Sequence, residues 1–399
     1  MRGLAFDIDS FGREAPSDIA DMFKGYEILY ISFSKERSSA IENNLGIKCS
    51  YNIDGFQRFF SPNSFTHSET LKRLSIKAAE LLYVSRRFSF LKNAMSFMGG
   101  TVWITYNVNY GEASRAPDLI CHSLAELRLC LERDAEGFLG EIAVYPNPSM
   151  RLGMIVPVGF KTRKGVVPLY MLGRYFGHSQ YMNQMHPYSA ALFWNKRMTS
   201  RSYGKFDGLF GGMLAYAAGL VIGRNAINGI CAVPSRPGKP DRFAKMLDTI
   251  SLRYGIENYG RAFVCNNDYP SQKGLSYQER QMNIRGVFSF GKRLHGDNVI
   301  ILDDIVSTGA TVNECVDRLI EAGAGGVFVV VLAVNQLGAA YWSSNEVRVF
   351  CPRCGCEMQL RINSVDRSFV YSCNNCSMMI DYFAGRRMVE TRVNQEFFE

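Results

Sequence analysis

The chain has 399 residues, 47% of them hydrophobic, a formal net charge of +8 and eleven cysteines. That length and apolar content support large cores and two or three domains, which excludes a disordered chain. The charge is mild and spread along the sequence, so it suits a phosphate-rich ligand or nucleic acid without choosing between them.

The start, "MRGLAFDIDS", meets an acid within seven residues and has no leader pattern, so a cytoplasmic location is expected. From there to about residue 135, short apolar strands ("GLAFDID", "YEILYIS", "ELLYVS", "TVWITY") alternate with helix-like stretches such as "SKERSSAIENNLG". This alternation predicts a parallel α/β sheet. A second domain is expected over 140–342. Its opening part, 146–205, mixes aromatics, prolines and bases without a clean period. "GLFGGMLAYAAGLVIG", between Asp207 and Arg224, is 16 uncharged residues with five glycines. It is short for a membrane span of roughly 20 residues, so a buried helix is predicted and no membrane partner. "GICAVP", "NVIILDD" and "VFVVVLAV" read as strands buried on both faces. The third part, 346–385, is short, polar and cysteine-bearing, needs a staple, and is followed by a tail over 386–399. The chemistry-bearing stretch is "VIILDDIVSTGATV", Val299–Val312. It ends a buried strand on Asp303 and Asp304, then passes through a small-residue loop into a helix predicted to begin at about Ala310. Ligands of open α/β sheets sit at strand carboxyl ends, and backbone N–H groups at a helix entrance favour anions. A sugar phosphate satisfies both halves: Ser307, Thr308, Gly309, Ala310 and Thr311 would hold the phosphate, and the two aspartates would accept hydrogen bonds from vicinal ribose hydroxyls.

At these residues the sequence resembles the type I phosphoribosyltransferases. Upstream, "SQKGLSYQERQMNIRGVFSF" is similar to the ComF-type branch of that family, with Gln272, Leu275, Arg280, Asn283, Gly286 and Phe288 in the family's order. The resemblance implies a mobile hood over a diphosphate there. It also implies a diphosphate-binding turn in "GICAVPSRPGKPDRF", at Ser235, Arg236, Pro237 and Gly238, with Lys239 nearby. The implied reaction displaces diphosphate from phosphoribosyl diphosphate, with Mg²⁺ on the diphosphate and Asp303 and Asp304 as the catalytic carboxylates. Asp304 is the expected nearer partner of the ribose. Nothing in the sequence identifies the acceptor.

"LAFDIDSFG" carries Asp7 and Asp9 in the DxD spacing that resembles haloacid-dehalogenase-type (HAD-like) hydrolases, with Ser32 as the hydroxyl of the second strand and Lys72 or Lys77 as the motif lysine. Where that family completes its Mg²⁺ site with acids after the "LLYV" strand, this chain has Ser85, Arg86 and Phe90. The implied domain is therefore degenerate, a ligand-binding unit or scaffold with Arg86 as an anion contact. Cys351 and Cys354, then eighteen residues, then Cys373 and Cys376 give two C-x2-C knuckles, the spacing of a structural zinc ribbon, with Cys356 a bystander. The six other cysteines are scattered singly, which fits a reducing compartment. Arg353, Arg361, Arg367, Arg386 and Arg387 could give a ribbon phosphate contacts to nucleic acid.

The fold class expected is thus α/β: a HAD-like Rossmannoid sheet, a phosphoribosyltransferase-like parallel sheet and a zinc ribbon. The pairing resembles arrangements in bacterial stress-response or tellurite-resistance clusters, which implies a nucleoside- or nucleotide-like product. The alternative is a non-catalytic module that senses a phosphoribosyl ligand or nucleotide and acts with nucleic acid, as the ComF link to DNA uptake implies. A homo-oligomer is compatible with either reading.

Overall fold

The computed structural model describes residues 3–51, 62–77, 80–95, 100–132, 137–144, 153–177, 186–197, 203–269 and 277–336, and near the C-terminus 354, 356, 359–362, 369–383 and 390–392. Gly3–Asp7 (β1), Glu27–Ser32 (β2), Cys49–Tyr51 (β3), Leu81–Ser85 (β4), Gly100–Ile104 (β5) and Leu119–Cys121 (β6) form the first sheet, ordered β3-β2-β1-β4-β5-β6. Every pair is parallel. All five residues of β1, β4 and β5 are buried, as strands covered on both faces require. The helices between them are Pro16–Met22 (α1), Lys35–Leu45 (α2), Ser64–Leu74 (α3), Phe88–Ala94 (α4) and Tyr110–Ala113 (α5), and Leu124–Glu132 (α6) follows β6. α2 shows why the sequence signals were readable: the Ser34 hydroxyl accepts from Arg37 N–H at its start, and Gly46 takes φ +65° at its end. The strand order reverses between β1 and β4, so the carboxyl ends of these strands flank a topological switch point.

The second sheet contains Val156–Thr162 (β7), Gly165–Met171 (β8), Arg174–Tyr175 (β9), Gly229–Ala232 (β10), Glu257–Asn258 (β11), Asn298–Val306 (β14) and Gly326–Asn335 (β15). Its order is β11-β10-β14-β15-β8-β7, with β9 pairing β15. All these pairs are parallel except the β7–β8 hairpin. Phe263–Cys265 (β12) and Phe288–Phe290 (β13) form a separate antiparallel ribbon. The helices are Leu139–Ala143 (α7), Pro187–Asn195 (α8), Asp207–Ile222 (α9), Ala244–Tyr254 (α10), Tyr277–Ile284 (α11) and Ala310–Glu321 (α12). The stretch expected to be a buried helix is α9, but it is buried on one face only: Phe210, Met213, Leu214, Ala217, Ala218 and Val221 join the core, while Tyr216 and Leu220 are exposed. Gln359–Ile362 (β16), Phe369–Ser372 (β17), Met379–Phe383 (β18) and Glu390–Arg392 (β19) make a small antiparallel sheet.

The two large sheets share one core. Ala5, Tyr83 and Trp103 of the first belong to the same buried cluster as Val158, Ile301 and Val329 of the second. Polar joints fix the seam. Gly159 N–H donates to Val108 O at 2.8 Å, and the Gln336 amide accepts from Ala116 N–H at 2.8 Å while donating to Ala113 O at 3.0 Å. Arg174, 5% exposed, bridges Asp118 at 2.9 Å and Glu141 at 2.8 Å. Burial alone would raise the Glu141 carboxyl, but the Arg174 and His186 charges outweigh it and hold that carboxyl well below the usual range.

Candidate functional site

β14 extends two residues past the expected strand end at Asp304, through Val306, and α12 begins at Ala310. Val233 N–H bonds Leu302 O at 2.9 Å, so the loop leaving β10 runs directly beside Asp303 and Asp304. That loop contains Ser235–Lys239. It turns through a Lys239 N–H to Arg236 O bond of 3.0 Å with Gly238 at φ +74°, and Ser235 Oγ donates to Pro240 O at 3.1 Å. The Arg236 guanidinium lies 4.1 Å from the Tyr269 ring centre and donates to Tyr269 O at 3.0 Å, so Tyr269 holds it. Ser235 and Arg236 are half-buried, and Pro237, Gly238 and Lys239 are exposed.

Between the acids and α12, Gly309 takes φ +77° and caps the helix without any side-chain hydrogen bond. The glycine is required twice: an L side chain is strained at that φ, and a Cβ would lie 2.6 Å from two ring carbons of Phe160 on β7. Among the described residues no N-cap side chain takes up the first-turn N–H groups of α12. Ser307, Thr308 and Thr311 are half-buried beside this entrance, and Gly309 and Ala310 are buried. Tyr110, on α5 of the first sheet's unit, donates its hydroxyl to Ser307 O at 2.6 Å. Arg280 on α11 reaches Ser307 Oγ at 3.4 Å. Asn283 is half-buried on the same helix, which packs against α12. Gln272 and Leu275 lie outside the described residues.

The two acids are electrostatically unequal. Burial, reinforced by the neighbouring Asp304 charge, pushes Asp303 up to about 7. Burial also acts on Asp304, but Lys196 Nζ at 2.7 Å and Arg242 Nη2 at 2.6 Å outweigh it and hold that carboxyl down at about 2. At neutral pH the pair thus carries one secure charge and one readily shared proton. Neither cation was anticipated from sequence. Lys196 follows α8 in the stretch without a clear period. Arg242 is the next cation after Lys239 in the loop already singled out, and could have been found there.

At the first sheet's switch point, Asp7 is fully buried and accepts from Ser85 Oγ at 2.6 Å and Arg87 Nε at 2.7 Å, with a second Arg87 contact from Nη2. Burial raises the Asp7 carboxyl; Arg87 and Ser85 pull against it. Asp9 accepts from Ser32 Oγ at 2.9 Å, Phe33 N–H at 2.6 Å and Arg37 Nη1 at 3.2 Å. The cation that faces Asp7 is Arg87. Arg86, the expected anion contact, is taken by Glu14 and lies over the Phe11 ring. Lys72 and Lys77 are both exposed.

In the C-terminal part, the Sγ atoms of Cys354, Cys373 and Cys376 lie within 4.8 Å of one another. Cys373 leads into a tight turn, with Ser377 N–H donating to Cys373 O at 3.0 Å and Cys373 N–H to Met378 O at 2.8 Å. The Cys354 thiol is pulled down to about 6, chiefly by the Cys356 backbone N–H and the Asn375 side chain. Three soft thiolate donors at this spacing fit Zn²⁺. Cys351, Arg353, Arg367, Arg386 and Arg387 lie outside the described residues; Arg361 stands on β16.

No protein-family model matches the chain. A curated relative, the transcriptional regulator GfcR of Methanococcoides burtonii, is 39% identical over 78 residues, which is 19% of this chain and 35% of the relative. The chain thus spans about a third of that relative's length. Among solved structures, an adenine phosphoribosyltransferase is similar to part of the chain, with a TM-score of 0.23 and 20% identity over 34% of this chain and 82% of the other. No helix among the described residues is long and apolar enough to cross a membrane.

Proposed function

We propose that the protein is a Mg²⁺-dependent phosphoribosyltransferase that binds phosphoribosyl diphosphate at the carboxyl end of β14. The observation that carries this reading is the conjunction of Asp303 and Asp304 with the uncapped entrance of α12, two recognition elements that match the two ends of a ribose 5-phosphate. The Ser307–Thr311 amides and hydroxyls would take the 5-phosphate, and the acids the ribose hydroxyls. The loop Ser235–Lys239 beside them would take the diphosphate, with Arg280 and Asn283 contributed from α11 and Gln272 from the segment before it. The oxygen donors of an acid pair suit Mg²⁺, which when bound with the diphosphate neutralises charge on the leaving group.

In the transfer, the acceptor's lone pair forms the bond to ribose C1 as the C1–O bond to diphosphate breaks and its electron pair leaves with the diphosphate. The acceptor's proton passes to solvent. The role of the chain is positioning and charge stabilisation: Asp304 remains ionised to face developing positive charge on the ribose, and Asp303 shares a proton with a hydroxyl. The first sheet's unit keeps a DxD arrangement like that of HAD-like hydrolases, but the Arg87 guanidinium sits against Asp7 where such a site needs a cation-binding gap. We read it as a scaffold whose Tyr110 steadies the phosphate loop. Six of the eleven cysteines are scattered singly along the sequence, which suits a reducing compartment such as the cytoplasm.

Titration calorimetry with phosphoribosyl diphosphate and Mg²⁺, followed by a diphosphate-release assay over a panel of bases and amines, tests the reading. Micromolar binding, lost in an Asp303→Asn, Asp304→Asn double variant, is expected; no heat with any phosphorylated pentose would overturn it. A second reading is favoured by one observation, the relative named as a transcriptional regulator. In it the same pocket senses a phosphoribosyl ligand, and the cysteine-bearing sheet passes the signal to nucleic acid. Ligand binding that persists in EDTA, no turnover with any acceptor, and a salt-dependent shift on DNA would select this second reading.

A further inference from the structure

A cleft of about 690 Å³ opens between α9 and α10 and reaches Asp304 at one end. Leu192, Phe210, Leu214, Phe243, Met246 and Leu332 give it apolar walls. Its charged lining is unbalanced: Lys196, Arg242, Lys245 and Arg253 against the carboxylates of Asp207 and Asp304. Asp207 is engaged by the Asn195 amide at 2.7 Å, and Asp304 by the two cations at the mouth. The volume falls in the usual range for small-molecule sites, and the combination of apolar walls with a few convergent polar groups is their usual chemistry.

The glycines of α9 separate packing from function. Gly219 is explained by packing, because a Cβ there would collide with the Tyr254 hydroxyl. Gly208 and Gly212 would meet nothing within 4 Å, and Gly211 only Met246 Sδ at 3.8 Å. Glycine inside a helix is unfavourable relative to alanine, and at these three positions no neighbour demands it. All three line the cleft. A side chain at any of them would start from the cleft's lining in open space, so glycine there leaves the cleft wider than alanine or a larger residue would.

We propose that this cleft is the site of the second substrate, a ligand with a flat apolar body lying between α9 and α10 and an anionic head at Lys196 and Arg242. Its role as acceptor rests on the phosphoribosyl reading of Asp303 and Asp304; the binding site itself rests on the cleft. An anionic head competes with Asp304 for the two cations. Its arrival frees the carboxylate for the ribose, so the two ligands bind with positive coupling.

Fluorescence or calorimetric titration of the full chain with 2-naphthoate tests this, alongside separate titration with phosphoribosyl diphosphate. Expected are saturable binding at least fivefold tighter than benzoate, at least tenfold tighter than the uncharged 2-naphthalenemethanol, and strengthened by phosphoribosyl diphosphate. Gly212→Leu should weaken 2-naphthoate at least tenfold and leave phosphoribosyl diphosphate affinity within twofold. Thr249→Trp fills the same cleft from α10 and replaces the first variant should that one not fold. Unchanged 2-naphthoate affinity in the folded variants, or no binding to the parent, would overturn the site. Binding of 2-naphthoate by a protein that ignores phosphoribosyl diphosphate would sustain the site and overturn the transferase reading on its own.

Discussion

Replacing Gly309 by alanine perturbs the phosphate loop at the point where backbone and packing constraints coincide. A left-handed φ of +77° costs a non-glycine residue about 1–2 kcal/mol. The new Cβ would also stand 2.6 Å from two Phe160 ring atoms, when carbon contacts are comfortable at about 3.5–4.0 Å. The ring must therefore retreat by about 1 Å into a core shared by both large sheets, and overpacking of this kind costs about 1–3 kcal/mol. The expected loss is about 2–5 kcal/mol by urea unfolding. Gly238→Ala supplies the control, since it has φ +74° with nothing within 4 Å of the added atom, and should show only the backbone part. Gly309→Ala with Phe160→Leu should recover the packing part while leaving phosphoribosyl diphosphate binding weakened, because the loop's N–H groups stay misaimed. Equal costs for Gly309→Ala and Gly238→Ala would refute the claim that β7 braces this loop.

Asp303 has a folded-state carboxyl raised to about 7, so the stability it contributes is complete below the ordinary carboxylate range and lost as pH rises through about 7. Asp303→Asn should therefore flatten the pH dependence of unfolding and gain on the order of 1–3 kcal/mol over the parent at pH 8, while weakening sugar-phosphate binding. A parent whose stability is level from pH 5 to 8 speaks against a shifted Asp303. Arg87→Ala leaves Asp7 buried without its cation, and the loss should be about 2–4 kcal/mol at pH 8 and should shrink as pH falls and protonation removes the unpaired charge; unfolding curves over a pH series decide it. Purified under reducing conditions, the chain should carry one zinc by elemental analysis. Cys373→Ser or chelation should remove it and unprotect the β17–β18 amides in hydrogen exchange, leaving β1–β6 protected. Zinc-free protein with those amides still protected would show that the thiolates do not staple the sheet.

The strands around the acids were readable because they are buried on both faces, which forces continuous apolar runs that end abruptly where the ligand side begins. α9 was readable as a helix because its uncharged run is too long for a strand, although only one of its faces is buried. The β7–β8 hairpin was not readable, although its pattern is present: Val156, Val158, Phe160 and Thr162 point inward. The outward positions between them are Pro157, Gly159 and Lys161, and two of those residue types are read as breakers. Pro157 and Gly159 are tolerated because β7 is the sheet's edge strand, and edge position is a property of the whole topology. The cations on Asp304 were hidden for a related reason. Lys196 and Arg242 lie far from the acid motif in sequence and converge only when α8 and the β10–α10 loop close over the end of β14.

Arg87 shows the same limit from the other side. The charge reversal after β4 was visible in "SRRF", and one of two adjacent arginines had to face the aspartates. Which one depends on where β4 ends. Ser85 is its last residue and bonds Asp7, and Arg86 turns outward to Glu14. Arg87 is then the residue that can fold back, placing both its Nε and its Nη2 on a carboxylate that has no access to solvent. A buried carboxylate so paired has little affinity left for a divalent cation, since binding one requires first expelling the guanidinium. The unit that carries it still reaches the second sheet through Tyr110, Gln336 and Arg174. In the proposed function the unit then acts mechanically: Tyr110 braces the loop between Asp304 and α12, and the affinity of that loop for a phosphorylated pentose should depend on the seam between the two sheets as well as on the residues that touch the ligand.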